Sequence, residues 1–194
     1  MTIGPNPVTG MHVFVFIDHS DTQIPAVIKN LAGLRSASPR VHWAGSVIGD
    51  YLALAHVIHD DPNDLDGMQT FIETTLWNAG VHCKKATEVA VVNMKGTKIG
   101  TPEILALVGI KTEHGRAMSV MEQLESIDDE QDRTWLQGAS LVTGHLDILL
   151  QLNADTLEAA HQRLLDPALA NIEGIAWTST AISDGTRGPF APES

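Results

Sequence analysis

The chain has 194 residues, 43% hydrophobic and 19% charged, with a formal net charge of −12 from 12 basic and 24 acidic side chains. That composition is ordinary for a globular domain or two. The charge argues against nucleic-acid or anionic-membrane partners, which need clustered Lys and Arg, because the one adjacent basic pair is Lys84-Lys85. No run approaches the ~18 apolar residues of a membrane span. The opening MTIGPNPVTG lacks the basic-then-apolar pattern of a secretion signal, and a single Cys83 cannot form an intramolecular disulfide, so a reducing cytoplasm is the expected location.

In chain order, HVFVFID is rich in Val, Phe and Ile and reads as a strand. Ile24, Val27, Ile28, Leu31 and Leu34 recur at helical spacing, so a helix follows over 24–34. VHWAGSVI and YLALAHVI are strands separated by Gly49-Asp50, a hairpin connection, because Gly accepts the positive φ of primed turns. NDLDGMQTFIETTLWNAG is a second helix with Leu65, Met68, Ile72 and Leu76 as its stripe and Gly80 at its C-terminal glycine position. TEVAVVN is a further strand. Past the joint KGTKIGTP the same order returns: a strand over 104–111, a helix marked by Ala117, Val120, Met121 and Leu124, then hairpin strands TWLQGASLVT and LDILLQL around Gly144-His145. Asp155 and Glu158 form a capping pair that opens a helix through Leu165. IAWTSTAI closes the unit, and DGTRGPFAPES reads as a loose tail.

The chain therefore repeats itself. Gly49 and Gly144 stand 95 residues apart, Gly80 and Gly174 94, and Val13 and Ala106 93. The units are expected over 8–95 and 103–183, with a linker over 96–102 and a tail over 184–194. Each β-α-β-β-α-β order is ferredoxin-like, an antiparallel sheet with two helices on one face. Leu146, Ile148, Leu150 and Leu152 alternate onto one face of their strand, whereas Tyr51–Ile58 is apolar on both faces. A sheet apolar on both faces needs cover on both, and the natural cover is the other unit's sheet. The predicted fold class is α+β, with two tandem ferredoxin-like units packed sheet to sheet as a covalent pseudo-dimer.

VTGHLDILLQL, from Val142 to Leu152, carries Val142, Gly144 and Asp147 of a Gly-x-aromatic-Asp turn, with Leu146 in place of the aromatic. VIGDYLALAHV keeps Gly49 and has Tyr51 at the aromatic position, with Leu52 in place of the acid. AGV at Ala79–Val81 and EGI at Glu173–Ile175 follow the second helix of each unit. In this order of elements the chain resembles the effector-binding (RAM) domain of the Lrp/AsnC transcription regulators, of the dimeric α/β barrel superfamily, as two tandem copies from Val8 to Ser183. The resemblance implies that a small molecule, often an amino acid, binds between paired domains near the hairpin turn and the last strand. By matching positions, that points to Gly49, Asp50 and Tyr51, to Gly144, His145 and Asp147, and to Thr178 and Thr180. Family members usually begin with a helix-turn-helix; here the first strand begins too close to Met1 to leave room for one, so direct DNA binding is not expected.

The turn also has a physical rationale as a site. Its backbone N–H groups can hold a carboxylate, and Asp147 can hold an ammonium. Equally, Gly49 and Gly144 serve as turn glycines with no ligand at all.

Other clusters read as structure. DHSD holds the residue types of a triad, but neighbours at a strand end point apart. His56 and His59, three apart on a strand, face opposite sides unless the strand ends between them. Neither HDDPNDLDG nor DDEQD fits a calcium loop, since Leu65 follows Asp61 and Asn63 in the first and Gly is absent at position six after Asp128 in the second; the first caps a helix and the second is a solvated loop. Cys83 has cationic neighbours but no His-plus-acid partner in sequence, and Trp43, Trp77, Trp135 and Trp177 are packing or interface anchors.

The expected function is a non-enzymatic effector-binding or regulatory protein, without cofactor, metal or catalytic residues, that binds a small amino-acid-like molecule and associates with itself or with related regulators. The alternatives are an enzyme of the dimeric α/β barrel group, of monooxygenase or isomerase type, and a ligand-free assembly protein. A deep polar pocket between sheet and helices holding a His and a carboxylate would favour the enzyme, a shallow polar pocket between the sheets at the Gly turns the effector-binding protein, and a fully apolar, void-free interface the assembly protein.

Overall fold

The computed structural model describes residues 6–18, 24–49, 51–82, 84–93, 104–131 and 135–183. Asp50, Cys83, the expected linker and the expected tail lie outside them. In the first unit the elements are β1 (Asn6–Ile17), α1 (Ile24–Ala32), β2 (Arg40–Gly49), β3 (Ala53–His59), α2 (Leu65–Thr70), a π-helical turn (Phe71–Thr75), α3 (Leu76–Asn78) and β4 (Lys84–Asn93). The second holds β5 (Ile104–Thr112), α4 (Ala117–Gln131), β6 (Leu136–Thr143), β7 (Ile148–Ala154), α5 (Leu157–Leu164), α6 (Pro167–Ala170) and β8 (Ile175–Ser183). The β-α-β-β-α-β order occurs twice.

All eight strands are antiparallel to their neighbours and close into one barrel, β1-β3-β2-β8-β5-β7-β6-β4. The two sheets therefore do more than face each other: they are hydrogen-bonded at both edges. One seam joins β2 to β8, pairing Val47 with Ser183 and Gly49 with Ala181. The other joins β4 to β6, pairing Val89 with Thr143. Closure removes every free sheet edge.

Alternation along the strands sorts side chains into three cores. Ala53, Ala55 and Val57 of β3 lie beneath α1 and the second helix, with Val27, Leu31, Met68, Phe71 and Leu76. Ile148, Leu150 and Leu152 of β7 do the same in the second unit, with Val120, Met121 and Leu124 of α4. The opposite faces meet inside the barrel, where Phe14, Phe16, Trp43, Val47, Leu54, Leu107, Val142 and Leu149 form the third core. Leu146 departs from its expected face and joins this third core. It precedes the strand, because the Asp147 N–H is drawn to the Ile110 carbonyl at 3.0 Å.

Helix ends also follow local chemistry. Asp64 caps α2 by accepting from the Gly67 N–H. At α5 the cap is Thr156, accepting from the Ala159 N–H, one residue past the expected Asp155. Thr156 sits in the extended conformation that an N-cap requires. The last helix stops at Leu164 rather than continuing, and restarts at Pro167 behind an Asp166 cap, since Pro suits a first helical position and not an interior one.

Candidate functional site

The Gly144 turn does hold a carboxylate, and the carboxylate is the protein's own. Glu88, on β4 of the first unit, accepts the His145 N–H at 2.8 Å and the Leu146 N–H at 3.1 Å. Its side chain is wholly buried. Burial pushes its pKa above the ordinary 4.5, outweighing the two amide bonds. Gly144 has φ +153°, and a Cβ there would stand 2.4 Å from Glu88 Oε2 and 2.6 Å from the Thr87 carbonyl oxygen. Only glycine lets β4 come this close.

Asp147 likewise meets an ammonium supplied by the chain. Lys111 Nζ donates to Oδ1 at 2.8 Å, and the Thr112 N–H and Oγ1 donate to Oδ2 at 2.8 and 3.0 Å. Burial raises the Asp147 pKa, but these donors together outweigh it and hold the carboxyl below its ordinary range. The His145 ring packs near Trp177, 5.6 Å between centroids, and both residues are exposed. The turn thus engages both charged groups of an amino acid, each contributed internally.

The other hairpin differs. Gly49 has φ +144°, and a Cβ there would lie 2.1 Å from the Thr180 carbonyl oxygen. The residue pairing with Gly49 across the seam, Ala181, has no carboxylate to offer. Tyr51 is buried with its ring 4.6 Å from Phe16.

Thr178 and Thr180 pair with Ile110 and Val108, and their side chains face the helices rather than the barrel. They line a cavity of about 340 Å³ in the second unit. Val108, Ile110 and Leu150 form its floor, Leu164, Leu169 and Ala170 its helical wall, and Ile172 and Ile175 its remaining side. The gap follows from the helix break at Leu165–Asp166. Ala170 and Thr178 at its rim are exposed. So the predicted residues fall into three places: the Gly144 turn, the Gly49 turn, and this cavity. Sequence reading did not single out Glu88, Lys111 and Thr112, nor the cavity's apolar walls. The helix-breaking Asp166-Pro167 pair was the one signal for the gap.

Inside the barrel, His12 Nδ1 lies 3.1 Å from His56 Nε2, Phe14 stacks on His56 at 4.5 Å, and His42 meets it edge-on at 5.4 Å. Burial, then the neighbouring His12 and His42, depress the His56 pKa well below 6.5. Among the described residues no group of three His, Cys, Asp or Glu side chains is placed to hold a metal ion, and no helix is long and apolar enough to cross a membrane.

No protein-family model matches the chain, and no curated protein matches its sequence. Solved structures do match. A hypothetical protein from Pyrococcus horikoshii is 26% identical over 41% of this chain and 88% of its own, with a TM-score of 0.34. An anthrone oxidase-like protein is 10% identical, covering 95% of this chain and 92% of that one, with a TM-score of 0.62. A major regulator of staphylococcal pathogenesis is 7% identical, covering 90% and 99%, with a TM-score of 0.51. Identities of 10% and 7% show the fold alone. The class is a ferredoxin-like dimeric α/β barrel, with both halves carried by one chain. That fold accommodates enzymes and regulators alike.

Proposed function

We propose that the chain is a binding protein that takes a small effector into the cavity of its second unit. The observation that carries this reading is the cavity's lining: eight hydrocarbon side chains and two threonine hydroxyls. Its volume is at the lower end of small-molecule pockets, which run from about 300 to 1,000 Å³. None of these ten side chains can exchange a proton near neutral pH, so the lining suits recognition and not acid–base chemistry. A charged group buried here would lack a counter-charge. The effector therefore has an apolar body that fills the cavity and a polar end at the rim beside Thr178, as an amino acid with a large apolar side chain has.

The barrel-enzyme reading, of monooxygenase or isomerase type, would rest on the His12–His56 pair and Glu88, but His56 is 2% exposed and Glu88 0%, which leaves a substrate no approach. As a regulatory module the chain would act by associating with a second copy or with related regulators, rather than with nucleic acid or membrane. The exposed Ile48 and Leu52 flanking the Gly49 turn suit such a contact.

Thermal unfolding against a panel of apolar amino acids, related carboxylates and neutral aromatics tests the proposal. A ligand at a hundred times its Kd stabilises by about 2.7 kcal/mol, a rise of about 5–10 °C for a chain of this size. The rise should vanish in Ala170→Trp, which fills the rim, and persist in Asp147→Ala. The reverse pattern would move the site to the Gly144 turn, and no rise with any compound would overturn the proposal.

A further inference from the structure

Away from the cavity and the Gly144 turn, three side chains from separate segments meet beside β3. Ser38 lies in the loop before β2, His59 ends β3, and Asp64 caps α2. Ser38 Oγ is 2.9 Å from His59 Nδ1, and His59 Nε2 is 2.8 Å from Asp64 Oδ2. One backbone amide gives the direction of these bonds. The Asp61 N–H donates to His59 Nδ1 at 3.3 Å, so that nitrogen carries no proton and the Ser38 hydroxyl donates to it. Nε2 then carries the proton and donates to the Asp64 carboxylate.

The remaining contacts hold this arrangement in place. Asp64 Oδ1 accepts the Gly67 N–H at 2.9 Å, which fixes the carboxylate at the helix start. A Cβ at Gly67 would stand 2.2 Å from Asp64 Oδ2, so glycine is what admits the carboxylate. The Asp60 N–H donates to Ser38 Oγ at 2.9 Å, which holds the hydroxyl in place beside the imidazole. The His59 side chain is 8% exposed, while Ser38 is open to solvent. A hydroxyl donating to a bare imidazole nitrogen, with the opposite N–H held by a carboxylate, is the hydrogen-bond order that activates a serine.

We propose that Ser38, His59 and Asp64 form a nucleophilic triad that cleaves small, activated carboxylic esters. Ser38 Oγ attacks the ester carbonyl carbon as its proton passes to His59 Nδ1. The bond from that carbon to the leaving oxygen breaks, and the leaving oxygen takes the proton from Nδ1. Water, giving a proton to Nδ1, then attacks the acyl group on Ser38; the carboxylic acid departs and the proton returns to Oγ. Asp64 stabilises the imidazolium in each half. The openness of Ser38 favours unhindered acyl groups with good leaving groups, such as aryl acetates. This site is separate from the effector cavity, and neither proposal depends on the other.

The test treats the whole chain with a fluorophosphonate probe and, separately, with p-nitrophenyl acetate, and maps any adduct by peptide mass. The expected result is an adduct on Ser38, absent in Ser38→Ala, with labelling and ester cleavage slowed by about 10²-fold in His59→Gln and in Asp64→Asn. Unfolding midpoints of the variants, read in parallel, separate loss of chemistry from loss of fold. No adduct on the wild-type chain, an adduct on a different residue, or unchanged labelling in a folded His59→Gln would overturn the proposal.

Discussion

Two carboxylates at the Gly144 turn, Glu88 and Asp147, have opposite effects on stability as pH changes. Glu88 is held above 4.5 by burial, so its contribution is full below that value and is lost as pH rises through its raised folded pKa. Asp147 is held below 3.8 by Lys111 and Thr112 against the effect of burial, so its contribution is present above 3.8 and is lost as pH falls through its lowered folded pKa. Glu88→Ala leaves the His145 and Leu146 amides without their acceptor and should cost about 1–3 kcal/mol in urea unfolding at pH 7. A variant as stable as the parent would contradict the geometry of that contact. His56 follows the Asp147 pattern: its pKa is depressed, so stability present above 6.5 falls away on acidification below that value. His56→Gln should flatten that acid limb, checked by urea midpoints at pH 5 and pH 7.5; parallel curves would refute it. The sequence made the chemistry of the Gly144 turn legible, a carboxylate for its amides and an ammonium for Asp147. It could not show the source of either group. Glu88 lies 57 residues from His145 along the chain, and only the β4–β6 seam brings them together.

At the scale of elements, the two hairpin glycines are where one unit's turn meets the other unit's last strand. A methyl at Gly49 would overlap the Thr180 carbonyl, and one at Gly144 the Thr87 carbonyl and Glu88. Both obstacles include backbone held in a closed barrel, which cannot give way cheaply. Gly49→Ala and Gly144→Ala should each cost about 2 kcal/mol or more, through overpacking added to strained φ. Thermal midpoints check this, and an unchanged midpoint in either variant would refute it. Strand and helix order could be read from alternation and from the Ile24–Leu34 and Leu65–Leu76 stripes. Boundaries set by competition between near-equal signals could not. Asp155-x-x-Glu158 reads as the helix start, but the cap falls one residue later, at Thr156, whose backbone is extended and whose side chain accepts the Ala159 N–H. The break at Asp166-Pro167 opens the cavity, yet an apolar stripe shows no sign of the space behind it.

For the whole molecule, duplication explains the barrel. Tyr51–Ile58 is apolar on both faces because one face lies under helices and the other inside the barrel, beside side chains of the second unit. A chain cut to residues 1–95 would expose Phe14, Phe16, Trp43, Val47 and Leu54 on one sheet face, and should self-associate rather than stay monomeric. Sedimentation of that fragment checks it; a stable monomer would contradict the barrel as the source of cover. The two copies differ at their second helices: the first unit packs Met68, Phe71 and Leu76 in a helical run from Leu65 to Asn78, while the second unit breaks its helix beside a cavity. The most direct test of the effector proposal is a methyl-labelled NMR titration of the intact chain with the compound that most raises its unfolding midpoint. The expected shifts are confined to methyls that line the cavity, those of Val108, Ile110, Leu150, Leu164, Leu169, Ile172 and Ile175 among them. Shifts centred instead on Leu146 and Val142 at the Gly144 turn, or none at saturating compound, would contradict it.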